Sequence, residues 1–246
     1  MLASLSKVAV LNKLVGRCDP GKTLPTLLRH YLALNGKFVC FSVNTVFNDS
    51  LDGLILVDFR KMPKRYAIRY LGRSMRTLVT ANTEALQQML SLIKSAPDKV
   101  YQDIPEGMTS AIGRHVRHVF DHYIALQVGM ADGTVDYDQR SRDSAIEKDS
   151  ALAVQQIQML IDWLKIHIRI DTPLKMKTEV SVSCQESVIV DSSLRREMIY
   201  LLNHTVHHVA YVTLVLRTLG VQVDHHIGNA PATQSYIRSN DMKKTG

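Results

Sequence analysis

The sequence has only three cysteines, Cys18, Cys40 and Cys184, and they lie far apart without a Cys-x-x-Cys pair. This scarcity excludes a disulfide framework and a thiolate zinc site, and it favours a reducing compartment. No apolar run approaches the roughly 20 residues that a membrane-spanning helix needs. Residues 1–15 lack the compact apolar core of a secretory signal, although the basic, acid-free stretch 1–18 weakly resembles an organellar transit peptide. We therefore expect a cytoplasmic protein without a membrane partner.

The sequence also lacks long runs of one charge, internal repeats and low-complexity segments. The formal net charge is +7, but the lysines and arginines are spread along the chain, so the composition does not favour nucleic-acid binding. The chain has 246 residues, 46% of them hydrophobic, which suffices for one sizeable core with an appendage.

The pattern changes near Met62-Pro63, which predicts a domain boundary between residues 61 and 62. Before it, short apolar stretches at 38–47 and 54–59 predict strands. Residues 1–61 hold too little sequence for a core of their own, so we expect an N-terminal extension that either packs on the main domain or is poorly ordered. Met62 could itself be the translation start.

Residues 62–246 carry apolar side chains at spacings of three and four, which predict four long helices. They cover about 66–94, 112–129, 146 to a stop before Pro173, and 194–219. Alternating residues from 174 to 190 predict a β-hairpin before the last helix. The expected fold is an all-α four-helix bundle with one small hairpin.

Six of the ten histidines lie in two of these helices: His115, His118, His122, His204, His207 and His208. His204 and His208 are four residues apart, which places their Cβ atoms about 5–6 Å apart on one helix face. At about 100° per residue, His208 lies about 50° and His204 about 90° from the centre of the apolar stripe, but His207 lies about 150° away. We therefore expect His204 and His208 to face the bundle and His207 to point outward.

Two imidazoles on one face make half of a metal site, and the second helix is the natural source of a third ligand. Neutral imidazole suits zinc, nickel or iron, and a catalytic site typically has three protein ligands and one open position. Helical rotation places His115 about 60°, His122 about 80° and His118 about 120° from the stripe of the second helix. Rotation alone thus favours His115 or His122.

Two motifs resemble the DinB/YfiT-like superfamily, whose members are four-helix bundles with a three-histidine metal site. They are residues 118–121 (HVFD) and 204–208 (HTVHH), and the ending 228–233 (GNAPAT) resembles that of one branch. The resemblance spans about 66–238, although Val209-Ala210 departs from the Arg-Gly-Gln that many relatives carry.

By this resemblance the metal ligands are His118, His204 and His208. His115, His122 and His207 then either support the ligand side chains without binding the metal or are alternative metal ligands.

The resemblance implies a divalent-metal-dependent enzyme, a hydrolase or a thiol-dependent transferase, that acts on a small molecule with or without a thiol cofactor. In the loop after the second helix, Asp138, Arg140 and Arg142 could bind an anionic substrate, although a solvated charged loop explains them more simply. The alternative is a non-enzymatic, stress-related bundle that binds metal or forms a homodimer.

A rival motif lies at residues 16–23 (GRCDPGKT), which fit the GxxxxGKT phosphate loop of nucleotide-binding proteins. That loop must join a buried strand to a helix within a parallel sheet. The helical pattern after Met62 leaves only about sixty residues for such a sheet, so nucleotide binding is a minor alternative.

Overall fold

The computed structural model describes residues 8–18, 20–47, 50–139 and 144–244. The chain divides into two compact units, Met1–Arg73 and Ser74–Gly246. The division lies beyond the boundary that the sequence predicts at 61/62, because a short helix at Lys64–Leu71 falls within the first unit.

The first unit combines short helices with one hairpin. Its elements are α1 (Val8–Cys18), α2 (Thr26–Ala33), β1 (Lys37–Asn44), β2 (Ser50–Leu56) and α3 (Lys64–Leu71). β1 and β2 pair antiparallel. Asn35 links α2 to β1 with φ of 64°, a left-handed conformation that asparagine tolerates better than most residues.

The phosphate-loop interpretation of residues 16–23 is wrong on structural grounds. Residues 16–18 belong to a helix, α1, whereas a phosphate loop must follow a buried strand; Asp19 lies outside the described residues. The sheet after it is an antiparallel pair of strands, which lacks the parallel arrangement that aims such a loop at a nucleotide.

The second unit contains the long helices and a three-stranded sheet. The helices are α4 (Arg73–Ser95, whose first residue closes the first unit), α5 (Asp98–Gln102), α6 (Ile112–Asp132), α7 (Ser150–His167), α8 (Leu194–Thr218) and α9 (Pro231–Lys244). The strands are β3 (Thr134–Asp136), β4 (Pro173–Glu179) and β5 (Ser187–Ser193), in the order β3-β4-β5. β4 pairs antiparallel with β5, as the alternating pattern predicts, and parallel with β3.

Local signals explain where the long helices begin and end. The Ser193 side chain accepts a hydrogen bond from the backbone of Arg196 and so caps α8, and Asp149 caps α7 in the same way. Gly133, with φ of 79°, ends α6 in the left-handed conformation typical of helix termini. The predicted first helix, 66–94, is instead interrupted at Gly72, which separates α3 from α4.

Helices α4, α6, α7 and α8 all contribute buried side chains to one core. A buried polar network crosses it: the Tyr123 hydroxyl donates to Asn82 Oδ1 at 2.7 Å and lies 3.1 Å from Thr205 Oγ1. Asn82 in turn donates to the backbone carbonyl of Met198 at 3.0 Å. The network therefore links α4, α6 and α8 in fixed register.

The predicted fold class, a DinB-like all-α bundle, stays a prediction. In the part of the chain that the structure describes, two small sheets and several short helices accompany the long ones. No helix in the described part of the chain is both long and apolar enough to cross a bilayer.

Candidate metal centre

Three histidines from two helices converge in the second unit. His118 of α6 and His204 and His208 of α8 each offer one ring nitrogen, and these nitrogens all lie within 4.8 Å of one another. Two nitrogens at 2.0–2.1 Å from a tetrahedral ion are about 3.4 Å apart, so small side-chain rotations would bring all three into a common coordination sphere.

These rings are packed tightly against each other. Ring centroids lie 4.9 Å apart for His118 and His204, 4.9 Å for His118 and His208, and 4.6 Å for His204 and His208. His204 Nε2 is buried and has no hydrogen-bond partner. A buried polar nitrogen without a partner is costly, and a bound cation would satisfy it.

Burial keeps His204 and His208 neutral. It lowers the pKa of His204 to about 2 and that of His208 to about 4, with smaller contributions from neighbouring histidines. A neutral imidazole is the form that coordinates a metal, so these ligands need lose no proton near neutral pH. The donor set therefore fits a transition-metal ion.

The other three histidines predicted for the site surround this group. His115 Nδ1 lies 3.1 Å from His208 Nδ1, and burial lowers the pKa of His115. His122 Nδ1 lies 2.8 Å from the backbone carbonyl of His118, which can only accept, so the hydrogen is on Nδ1. The His122 ring also stacks on His204 at 4.1 Å. His207 is exposed, with its ring 5.3 Å from that of His208.

The predicted substrate residues give a mixed result. Asp138 is exposed and accepts a hydrogen bond from the backbone of Glu179, at the end of β4. Arg140 and Arg142 lie outside the described residues. Asp121, the acid of the HVFD motif, forms an ion pair with Arg117 at 2.8 Å and lies outside the converging group of histidines.

An aromatic and acidic group, Tyr137, Tyr200 and Glu197, lies beside the histidines and was not predicted from the sequence. The Tyr137 ring stacks on His122 at 5.3 Å, and its hydroxyl donates to Glu197 at 2.7 Å. The Tyr200 ring lies 5.7 Å from His204. Glu197 is fully buried. Burial of Tyr137, together with the nearby Glu197 carboxylate, raises the pKa of Tyr137, so that hydroxyl remains a donor.

Helical arithmetic could have found the acidic member of this group. Glu197 precedes His204 by seven residues, which brings it back to within about 20° of the same face. An acid on the inward face of an amphipathic helix is a signal for a buried polar site.

Comparisons with known proteins give little support for any family. No protein-family model matches the chain, and no solved structure matches it. The chain is similar to a curated protein of Rhizopus delemar named FK506-binding protein 5, with 30% identity over 106 residues. The match covers 42% of this chain and 28% of the relative, so the chain spans less than a third of the length of the curated relative that it matches.

These findings contradict the DinB/YfiT-like assignment. Its motifs specify few positions, and spacings of three and four residues arise on any helix that aims several histidines at one neighbour. The expected DinB-like hydrolase or thiol-dependent transferase, with its stress-related alternative, was therefore wrong, since the similarity found is to a protein named for FK506 binding. The convergence of the three histidines is independent of that resemblance.

Proposed function

We propose that the second unit binds a divalent transition-metal ion through His118, His204 and His208. The observation that supports this is the convergence of three ring nitrogens within 4.8 Å. Imidazole donors favour zinc, nickel or iron over magnesium and calcium, which prefer oxygen ligands. Three protein ligands leave one position of a tetrahedral ion for a small molecule with an oxygen, nitrogen or sulfur donor.

We infer further that α4, α6, α7 and α8 act as a four-helix bundle around this site. All four contribute to one core, and bundles commonly build metal sites from side chains on facing helices. The link from Tyr123 to Thr205 supports this role, because these residues directly follow His122 and His204 and hold the two ligand helices together.

Zinc titration of the purified full-length chain by calorimetry tests the proposal. We expect one tight site, and His118→Ala, His204→Ala or His208→Ala should each weaken it at least tenfold because one of three ligands is lost. His207→Ala is the matched control on the same helix and should change affinity by less than about threefold. Equal losses in all four variants, or no binding by the parent, would overturn the proposal.

An exposed second group must be controlled in this titration. Asp224, His225 and His226 also place possible ligand atoms within 4.8 Å of one another, but all three are solvent-exposed. The measurements are therefore made in a His225→Ala/His226→Ala background. This removes a surface site that would otherwise add to the measured stoichiometry.

FK506 binding, with a peptidyl-prolyl isomerase-like activity, is the second candidate function. The similarity to FK506-binding protein 5 favours it, over 42% of this chain. A prolyl-peptide isomerisation assay with and without FK506 tests it. Activity that FK506 inhibits and that survives His204→Ala would support this candidate, whereas no activity and no FK506 binding would refute it.

A further inference from the structure

His115 lies beside His208, one of the proposed ligands, and this contact restricts which ring nitrogen of His208 carries the hydrogen. The Nδ1 atoms of His115 and His208 are 3.1 Å apart, a hydrogen-bond distance, with ring centroids 5.2 Å apart. The His115 ring also packs against Tyr211, whose ring centroid lies 4.3 Å from its own. One hydrogen must lie between the two Nδ1 atoms, because two bare nitrogens would repel each other.

Only one placement of that hydrogen is compatible with metal binding. If His115 donates, His208 Nδ1 accepts and the hydrogen of the neutral His208 ring is on Nε2, which leaves no lone pair for an ion. If His208 donates from Nδ1, its Nε2 is bare and can coordinate. His115 must then accept at Nδ1 and carry its own hydrogen on Nε2.

We infer that His115 is a positioning residue that selects the metal-binding tautomer of His208 by accepting its Nδ1 hydrogen. This rests on the proposed metal site and adds a role to a residue outside the three ligands. Partners of this kind orient the ligand ring and raise its basicity, and their loss typically costs 10–100-fold in metal affinity.

A pair of variants of nearly equal shape tests the role. His115→Asn keeps an acceptor oxygen near the position of Nδ1, whereas His115→Leu has the same branching without an acceptor. Calorimetry with zinc should give a 10–100-fold loss for His115→Leu and a loss of less than about fivefold for His115→Asn. Similar losses in both, or none in His115→Leu, would overturn the inference.

Nitrogen-detected NMR of the zinc-loaded protein is a second test. It shows which ring nitrogens are protonated and which bind the metal, and a change in fold stability alone would not alter that result. We expect His208 to show a protonated Nδ1 and a metal-bound Nε2, and His115 a protonated Nε2. A metal-bound His115 nitrogen would make it a ligand and overturn the positioning role. If the parent chain binds no zinc, the metal site fails as well, whereas zinc binding that is indifferent to His115→Leu refutes only this inference.

Discussion

The buried hydroxyl of Tyr123 offers a direct test of how the second unit is held together. Tyr123→Phe removes a 2.7 Å hydrogen bond to Asn82 and a 3.1 Å contact with Thr205 at fully buried positions. The threonine hydroxyl can turn to a carbonyl of its own helix, but Asn82 Oδ1 loses its donor. A buried acceptor without a partner costs about 1–3 kcal/mol, which is the expected fall in the free energy of unfolding.

Urea denaturation monitored by tryptophan fluorescence measures the free energy of unfolding of the second unit. The chain has one tryptophan, Trp163 in α7, which packs against the core of the second unit. A double-mutant cycle with Asn82→Leu is the control, because removing both partners should cost less than the two single changes added together. A loss below about 0.5 kcal/mol for Tyr123→Phe, or strict additivity, would refute the network argument.

Three further predictions follow from the second unit. Gly129→Ala should lower the free energy of unfolding by about 1–3 kcal/mol, because its Cβ would lie 2.6 Å from Val135 Cα; an unchanged urea midpoint would contradict this. Glu197→Leu should cost about 1.5–3 kcal/mol in the same assay, since it leaves the buried Tyr137 hydroxyl without its acceptor, and a cost near zero would refute that role. Burial lowers the pKa of His208 to about 4 from about 6.5 in the unfolded chain, so unfolding takes up a proton between these values. The metal-free protein should thus be most stable above about pH 6.5 and lose stability toward pH 4, and His208→Leu should flatten this slope; an equal slope would contradict the assignment.

The sequence predicted the long helices best where periodicity and caps agree. α6, α7 and α8 begin and end within a few residues of the expected positions, and Ser193, a residue type that favours helix N-caps, precedes the first residue of α8. The break at Gly72 was missed, because one glycine within a periodic stretch is usually tolerated. β3 has only three residues, and its pairing depends on β4, forty residues later, so local pattern carries no signal for it.

The candidate site was predictable in part. Spacing alone placed His204 and His208 on one face of α8. For α6 the rotation argument favoured His115 or His122, yet His118 is the residue that joins the other two. The apolar stripe of a helix faces all the elements that the helix packs against. Because α6 packs against both α7 and α8, the centre of its stripe does not show which side chains face α8. Glu197 could have been found from its position on the inward face of α8. Its pairing with Tyr137 could not, because the two residues are distant in sequence and meet only in the folded chain.

The resemblance to DinB-like proteins illustrates a different limit. Short histidine motifs with spacings of three and four place the side chains on one face of a helix. Unrelated helices share this spacing, so the motif does not identify a family. Geometry therefore supports a metal site here, whereas the reaction suggested by the motifs was contradicted.

Anomalous X-ray scattering from crystals of the zinc-loaded protein tests the central claim most directly. We expect a zinc peak between α6 and α8, about 2.0–2.1 Å from one nitrogen each of His118, His204 and His208. A peak only at the exposed 224–226 group, or none in the second unit of a fully zinc-equilibrated crystal, would contradict it.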